Sequence, residues 1–195
     1  MYQCSGMKTA LLAVSLLSFC VLGGEAEAQA AFTLKPVQTS VEFVARRFGL
    51  ATAAGRFARY DGVVALDFDH AERSKIRVRI DTASLSTGTA MVDSFVKGES
   101  MLDVAHYPSA TFVSEEVTRT GPRTLDIRGQ LTIRAITRPV VATAVADADP
   151  ASARTGSALP FHATASFLRS AFDIGHDVNV VDDRVEIEIK GRVDE

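Results

Sequence analysis

Four histidines, His70, His106, His162 and His176, are the side chains best suited to metal or proton-transfer chemistry, and they are widely spaced. None forms a His-x-His or His-Glu-x-x-His pair, the arrangements that put two imidazoles on one side of a zinc ion. Asp177, Asn179, Asp182 and Asp183 make an oxygen-rich stretch that could hold a hard cation, but it lacks the glycine and terminal glutamate of a calcium-binding loop. A solvated turn is expected there, and no metal site. No Gly-x-Ser-x-Gly nucleophile elbow and no phosphate-binding Gly-Lys-Ser/Thr loop occurs. General acid or base work needs His, Glu or Asp facing a substrate, and His106, His162 and Glu42 are the candidates that could reach a rim. The chain reads as a non-enzyme, with no catalytic residues to assign.

The elements that would position any site begin after an export segment. Lys8 precedes an apolar run from Ala10 to Leu22, and Ala26-Glu27-Ala28 and Ala28-Gln29-Ala30 offer small-residue cleavage sites. Residues 1–28, or 1–30, therefore read as a secretory signal peptide, too short in its apolar part to span a bilayer comfortably. Removing the first 28 of 195 residues leaves 167, enough for one domain with a sizeable core, here residues 31–195. Cys4 and Cys20 both lie in the removed part, so disulfides, thiolate catalysis and cysteine metal sites go together. The net charge is −3 and the basic residues are scattered, which leaves no nucleic-acid footprint.

Eight stretches then alternate apolar and polar residues: 40–48, 53–69 with a bend at Gly62, 74–81, 109–119, 123–134, 138–148, 158–168 and 183–193. In one of them Leu125, Ile127, Gly129, Leu131 and Ile133 fall on one face and Thr124, Asp126, Arg128, Gln130, Thr132 and Arg134 on the other, as in a sheet with one dry side. Short polar connections favour hairpins, hence an all-β, eight-stranded antiparallel up-and-down barrel. Asp149-Pro150 opens a polar loop through Gly156. Between residues 89 and 104 the period changes: Val92, Phe95 and Val96 recur at helical spacing, Thr89 could cap the start, Gly98 the end, and Ser100 a further turn. This segment either plugs the barrel or acts as a lid through Phe95, Met101 and Leu102.

The inward candidates, among them Val64 and Phe68, contain no acid, base or nucleophile. Those expected to line an interior site are Phe43, Ala45, Leu66, Ile80, Phe112, Leu131, Ile133, Ala142, Ala144, Phe161, Ala163, Ala165, Phe167 and Ile187. Paired small residues at 142/144 and 163/165 leave room, which Phe112, Phe161 and Phe167 could fill as a solid core or a ligand could occupy.

A resemblance bears on that choice. The stretch TGTAMVDSFVKGESMLDVAHYPSATF, residues 87–112, resembles the signature of the YceI-like family through Thr87-Gly88, Asp93, Leu102-Asp103-Val104, Tyr107-Pro108 and Thr111-Phe112. GQLTIRAITRPV, residues 129–140, is similar to the family's Gly-x-Leu-Thr-Ile-Arg-Gly-x-Thr-x-Pro-Val string, with Ala135 in place of the glycine. Ser40-Val41-Glu42-Phe43, Gly55-Arg56-Phe57 and the run from Arg169 to Gly175 match more weakly. Val92 and Phe95 stand where many members carry Arg and His, which makes the helical segment more apolar. The resemblance implies a periplasmic, lipocalin-like barrel whose lumen takes a polyisoprenoid or related long-chain amphiphile, with no cofactor beyond that ligand. On this reading the protein is an exported carrier or sequestering protein; a structural or partner-binding module, or a small lipid-modifying enzyme, are the alternatives. Arg46, Arg47, Arg56 and Lys97 are the basic candidates for a head group. Expected partners are a long-chain hydrophobic small molecule, with transient membrane or membrane-protein contact and a homodimer as further options, and neither nucleic acid nor an integral membrane segment.

Overall fold

The computed structural model of the chain describes residues 30–67, 69–150 and 158–193. The expected signal segment, Phe68 and most of the polar loop after Pro150 lie outside the described residues. Eleven strands are present among the described residues: β1 (Ala30–Leu34), β2 (Thr39–Arg47), β3 (Leu50–Phe57), β4 (Tyr60–Leu66), β5 (Lys75–Asp81), β6 (Leu85–Ser86), β7 (Ser109–Gly121), β8 (Thr124–Ile133), β9 (Ile136–Ala146), β10 (Leu159–Leu168) and β11 (Arg184–Val193). They form one curled antiparallel sheet in the order β1-β4-β5-β7-β8-β9-β10-β11-β2-β3-β6.

The fold is all-β as expected, but the count is eleven rather than eight, and the path is not a simple meander. The stretch 53–69 is two strands instead of one bent at Gly62. The break falls at Ala58–Arg59, where Ser84 takes over the pairing: its carbonyl accepts from Ala58 N at 3.3 Å and its hydroxyl from Arg59 N at 3.0 Å. The chain there leaves one edge of the sheet, after β3, and enters β4 near the other. Gly62 serves instead as a close approach for β1, since a Cβ would come within 2.9 Å of Leu34. The two strands without a sequence signal are short: β1 begins at Ala30, the last residue of the small-residue string read as a cleavage site, and β6 has two residues.

Alternation holds along the walls. On β5 Lys75, Arg77 and Arg79 face solvent while Ile76 and Val78 are buried, and β11 pairs in register with β2, matching Ile187 to Phe43 and Glu186 to Val44. Tight packing is concentrated in two clusters. Phe32, Leu34, Ala71, Val117, Ile127 and Leu159 close one end beneath the turn Ala71–Arg73. Met101, Ala110, Ile133, Phe172 and Ile174 pack at the other. Between them the inward side chains, Leu131, Phe167 and Ile187 among them, are only half-buried although they face inward, because they border empty space.

The helical segment is shorter than expected. Helix α1 spans Ala90–Lys97, with Thr89 at its N-cap position and Gly98 after it, but the Thr89 side chain makes no capping bond and Gly98 is not left-handed. Ser100 caps no second helical turn. The chain folds back instead, with Asp103 N bonding Gly98 O at 2.9 Å and Asp103 itself at φ +46°.

Candidate ligand-binding chamber

The space between the two packed clusters is a chamber of about 540 Å³ with a smaller cavity of about 150 Å³ below it. Of the fourteen lining candidates, Phe43, Ala45, Ile80, Phe112, Leu131, Ile133, Ala142, Ala165, Phe167 and Ile187 border the larger space. Leu66, Ala144, Phe161 and Ala163 border the smaller one, and Phe112 and Ala142 border both. The interior is therefore not a solid core. The room comes from a small-residue patch: in the β9–β10 ladder Ala142 pairs with Ala165 and Ala144 with Ala163, so four methyl-sized side chains stand together on one wall.

The chamber wall is apolar. Thr82 and Arg169 border it, but their polar atoms are engaged elsewhere: Thr82 Oγ1 donates to Tyr107 O at 2.8 Å, and Arg169 Nη1 to Ile174 O at 3.0 Å and to Gly175 O. His106, His162 and Glu42 are not among its lining residues. His106 Nδ1 lies 2.8 Å from Asp103, whose carboxylate holds the imidazole above its usual range, and His162 lies 2.8 Å from Asp147. Glu42 is opposite Glu188 on the polar face of the β2–β11 pair.

One lip of the mouth is α1. Phe95, Met101 and Leu102, the expected lid residues, all line the chamber, as do Met91, Val92 and Val96. The helix buries none of its residues; Met91 is 82% and Phe95 49% exposed. Its anchor is polar: Asp93 Oδ1 accepts from Thr87 N and Thr87 Oγ1, each at 2.6 Å, and Oδ2 from Ser86 Oγ at 3.2 Å. These bonds, led by the Thr87 hydroxyl, hold the Asp93 carboxyl below the usual carboxylate range.

The other lip runs from Asp173 to Asp182 and is organised by the buried Arg169. Its guanidinium donates to the carbonyls of Ile174, Gly175, Val178 and Asp182. Asp183, part of the oxygen-rich stretch, accepts from Ser170 N at 2.8 Å and from Ser170 Oγ. Among the described residues no group of three metal-ligating side chains comes together.

Above the chamber lies a vestibule of about 560 Å³ with a mixed wall, its polar part supplied by Ser100, Arg134, Asp173, His176, Asp177 and Asn179 and its apolar part by Phe95, Val178 and Val180, which also line the chamber. Arg134 donates to Asp173 O, lies 3.7 Å from its carboxylate and sits 5.9 Å from the Tyr107 ring centroid. By alternation alone Arg134 belongs to the outer face of its strand, whereas the structure brings it to the mouth. Arg134 and Ala135 both have positive φ, +49° and +62°, and this two-residue turn carries the arginine past the strand end to the mouth. The four basic candidates line neither space. Arg46 pairs with Glu186 at 3.1 Å, Arg47 lies over the Phe48 ring, Arg56 is paired with Glu42 in register, and Lys97 closes the last turn of α1.

Residues 32–193 match the model of the YceI-like domain. A UPF0312 protein of Pseudomonas syringae pv. tomato is 33% identical over 86% of this chain and 88% of its own, and one of Ectopseudomonas mendocina is 31% identical over 93% and 95%. BcnA of Burkholderia cenocepacia superposes with a TM-score of 0.74 at 25% identity, covering 83% of this chain and 99% of its own. A polyisoprenoid binding domain from Saccharophagus degradans has the same fold at a TM-score of 0.61 and 12% identity, covering 86% and 99%. The walls of the chamber and the signature residues that tie α1 at its mouth, Thr87 and Asp93, are thus features of a chain that belongs to the YceI-like family.

Proposed function

We propose that the protein binds a long-chain isoprenoid or fatty amphiphile, with the tail in the apolar chamber and the polar head in the vestibule beside Arg134, His176 and Asn179, and that it carries or sequesters this ligand without chemically altering it. The observation that carries the reading is the stacking of a vestibule that offers polar and charged side chains on a wholly apolar chamber, through shared walls at Phe95, Val178 and Val180. The Saccharophagus degradans neighbour, a polyisoprenoid binding domain, supports the ligand class. The signal-like N-terminal sequence supports export to the periplasm. Exposed Phe48, Leu50 and Met91 support transient contact with a membrane during loading.

Burying about 15 ligand carbons at about 0.8 kcal/mol each gives about 12 kcal/mol. Association and chain ordering remove about 4 to 6 kcal/mol, which leaves a Kd in the micromolar range. Native mass spectrometry of gently purified protein, followed by organic extraction, is expected to show a bound long-chain species. A protein that yields no extractable lipid and takes up neither a fluorescent fatty acid nor an isoprenoid probe would overturn the reading.

A further inference from the structure

The chamber and the cavity below it meet at a waist. Four side chains border both spaces: Val78, Phe112, Ala142 and Ile189. They come from β5, β7, β9 and β11, strands spread along the curled sheet, so they surround the level at which one space passes into the other. Phe112 is the largest of them, and its ring lies over the bare Cα of Gly129, where a Cβ would come within 2.7 Å of the ring and 2.3 Å of Val113 O. No side chain can replace that glycine without moving backbone, so the ring is seated while its inward edge borders empty space on two sides.

We propose that Phe112 sets the length of tail the protein accepts: a chain that fills the upper chamber stops at its ring, and a longer one enters the lower cavity only where the ring is removed or turned aside. This deepens, and rests on, the reading of the chamber as a site for long-chain amphiphiles. If each carbon takes roughly the 30 Å³ of a liquid water molecule, the upper chamber holds about 18 carbons and the lower cavity about five more, one isoprene unit. Ala144 borders the lower cavity and not the upper chamber, which allows the two compartments to be altered separately.

The test measures displacement of a fluorescent fatty acid by unbranched fatty acids of about 12 to about 26 carbons, a range that brackets the two volumes. In the unaltered protein affinity rises with length to about 18 carbons and then levels off or falls. Phe112→Ala moves that optimum by about five carbons and raises affinity for the longest acids at least several-fold relative to the unaltered protein. Adding Ala144→Phe to Phe112→Ala refills the lower cavity and returns the optimum, while Ala144→Phe alone leaves it in place. Phe112→Leu, which keeps more of the packing volume, shows a smaller shift in the same direction and serves if the alanine variant does not fold. An unmoved optimum in the folded Phe112 variants, or a gain equal at every length, overturns the proposal. Failure of every acid and of isoprenoid alcohols to bind the unaltered protein would instead overturn the reading on which it rests.

Discussion

Thr87 gives Asp93 both its backbone N–H and its hydroxyl, each at 2.6 Å, and so ties the first turn of α1 to the segment that follows β6. The bonds stabilise the ionised carboxylate, so the folded chain binds this proton less readily than the unfolded chain does. Their contribution is present above the ordinary carboxylate range and is lost as pH falls through the lowered value. Amide protection across Ala90–Lys97 and the residence time of a bound probe are expected to stay level from neutral to mildly acidic pH and to drop below it. Asp93→Asn should shorten residence at neutral pH and flatten that acid dependence. An unchanged acid-induced drop in the asparagine variant would show that another group controls the anchoring of α1.

Ala135 occupies a left-handed position, φ +62°, in the turn between β8 and β9, at the place where the family string carries glycine. An L-residue there is strained by about 1 to 2 kcal/mol, and the extra freedom glycine has in the unfolded chain offsets part of the relief. Ala135→Gly is therefore expected to stabilise the protein by about 0.5 to 1 kcal/mol, a rise in Tm of about 2 °C for a chain of this length. Thermal melting followed by circular dichroism checks it; a lower Tm would mean the turn is held by contacts of the alanine methyl.

Arg169 satisfies carbonyls at four positions of the lip, Ile174, Gly175, Val178 and Asp182. Methionine matches its length and offers no donor, so Arg169→Met leaves those acceptors to find water or loosen. A loss of about 2 to 4 kcal/mol follows from unmaking buried bonds of this kind. Probe release should quicken because Val178 and Val180, which border both vestibule and chamber, are held by the same segment. A variant with unaltered Tm and release rate would place the stability of the lip elsewhere.

The walls of this protein were legible in sequence because a strand with one dry face writes its orientation into every second residue. Ala142 and Ala165, both interior to their strands, could be placed inward on that ground alone, and their size hinted at unfilled space. The β3–β4 break left no such trace. Neither Ala58 nor Arg59 is a turn-former, and the pairing is interrupted by Ser84, a residue from a distant segment. The vestibule was hidden for a related reason. Its lip hangs on the buried guanidinium of Arg169, and Arg134 reaches it through a turn whose residues, Arg and Ala, do not advertise positive φ. Alternation speaks about faces of strands, whereas a mouth is assembled from their ends.

Whether the ligand lies inside the curled sheet is tested most directly by one paired measurement, probe affinity beside circular-dichroism melting for Ala165→Phe and Thr164→Phe. Ala165 borders the chamber opposite Ala142, while Thr164 is exposed on the other face of β10 opposite Thr143. A benzyl group at 165 occupies space meant for the tail, with overpacking costing about 1 to 3 kcal/mol of stability, so binding is expected to fall at least tenfold in a protein that still folds. At 164 the same group points to solvent, and binding is expected to stay within about twofold of the unaltered protein. Normal binding by folded Ala165→Phe, or loss of binding by Thr164→Phe alone, would contradict the claim that the ligand lies inside the curled sheet.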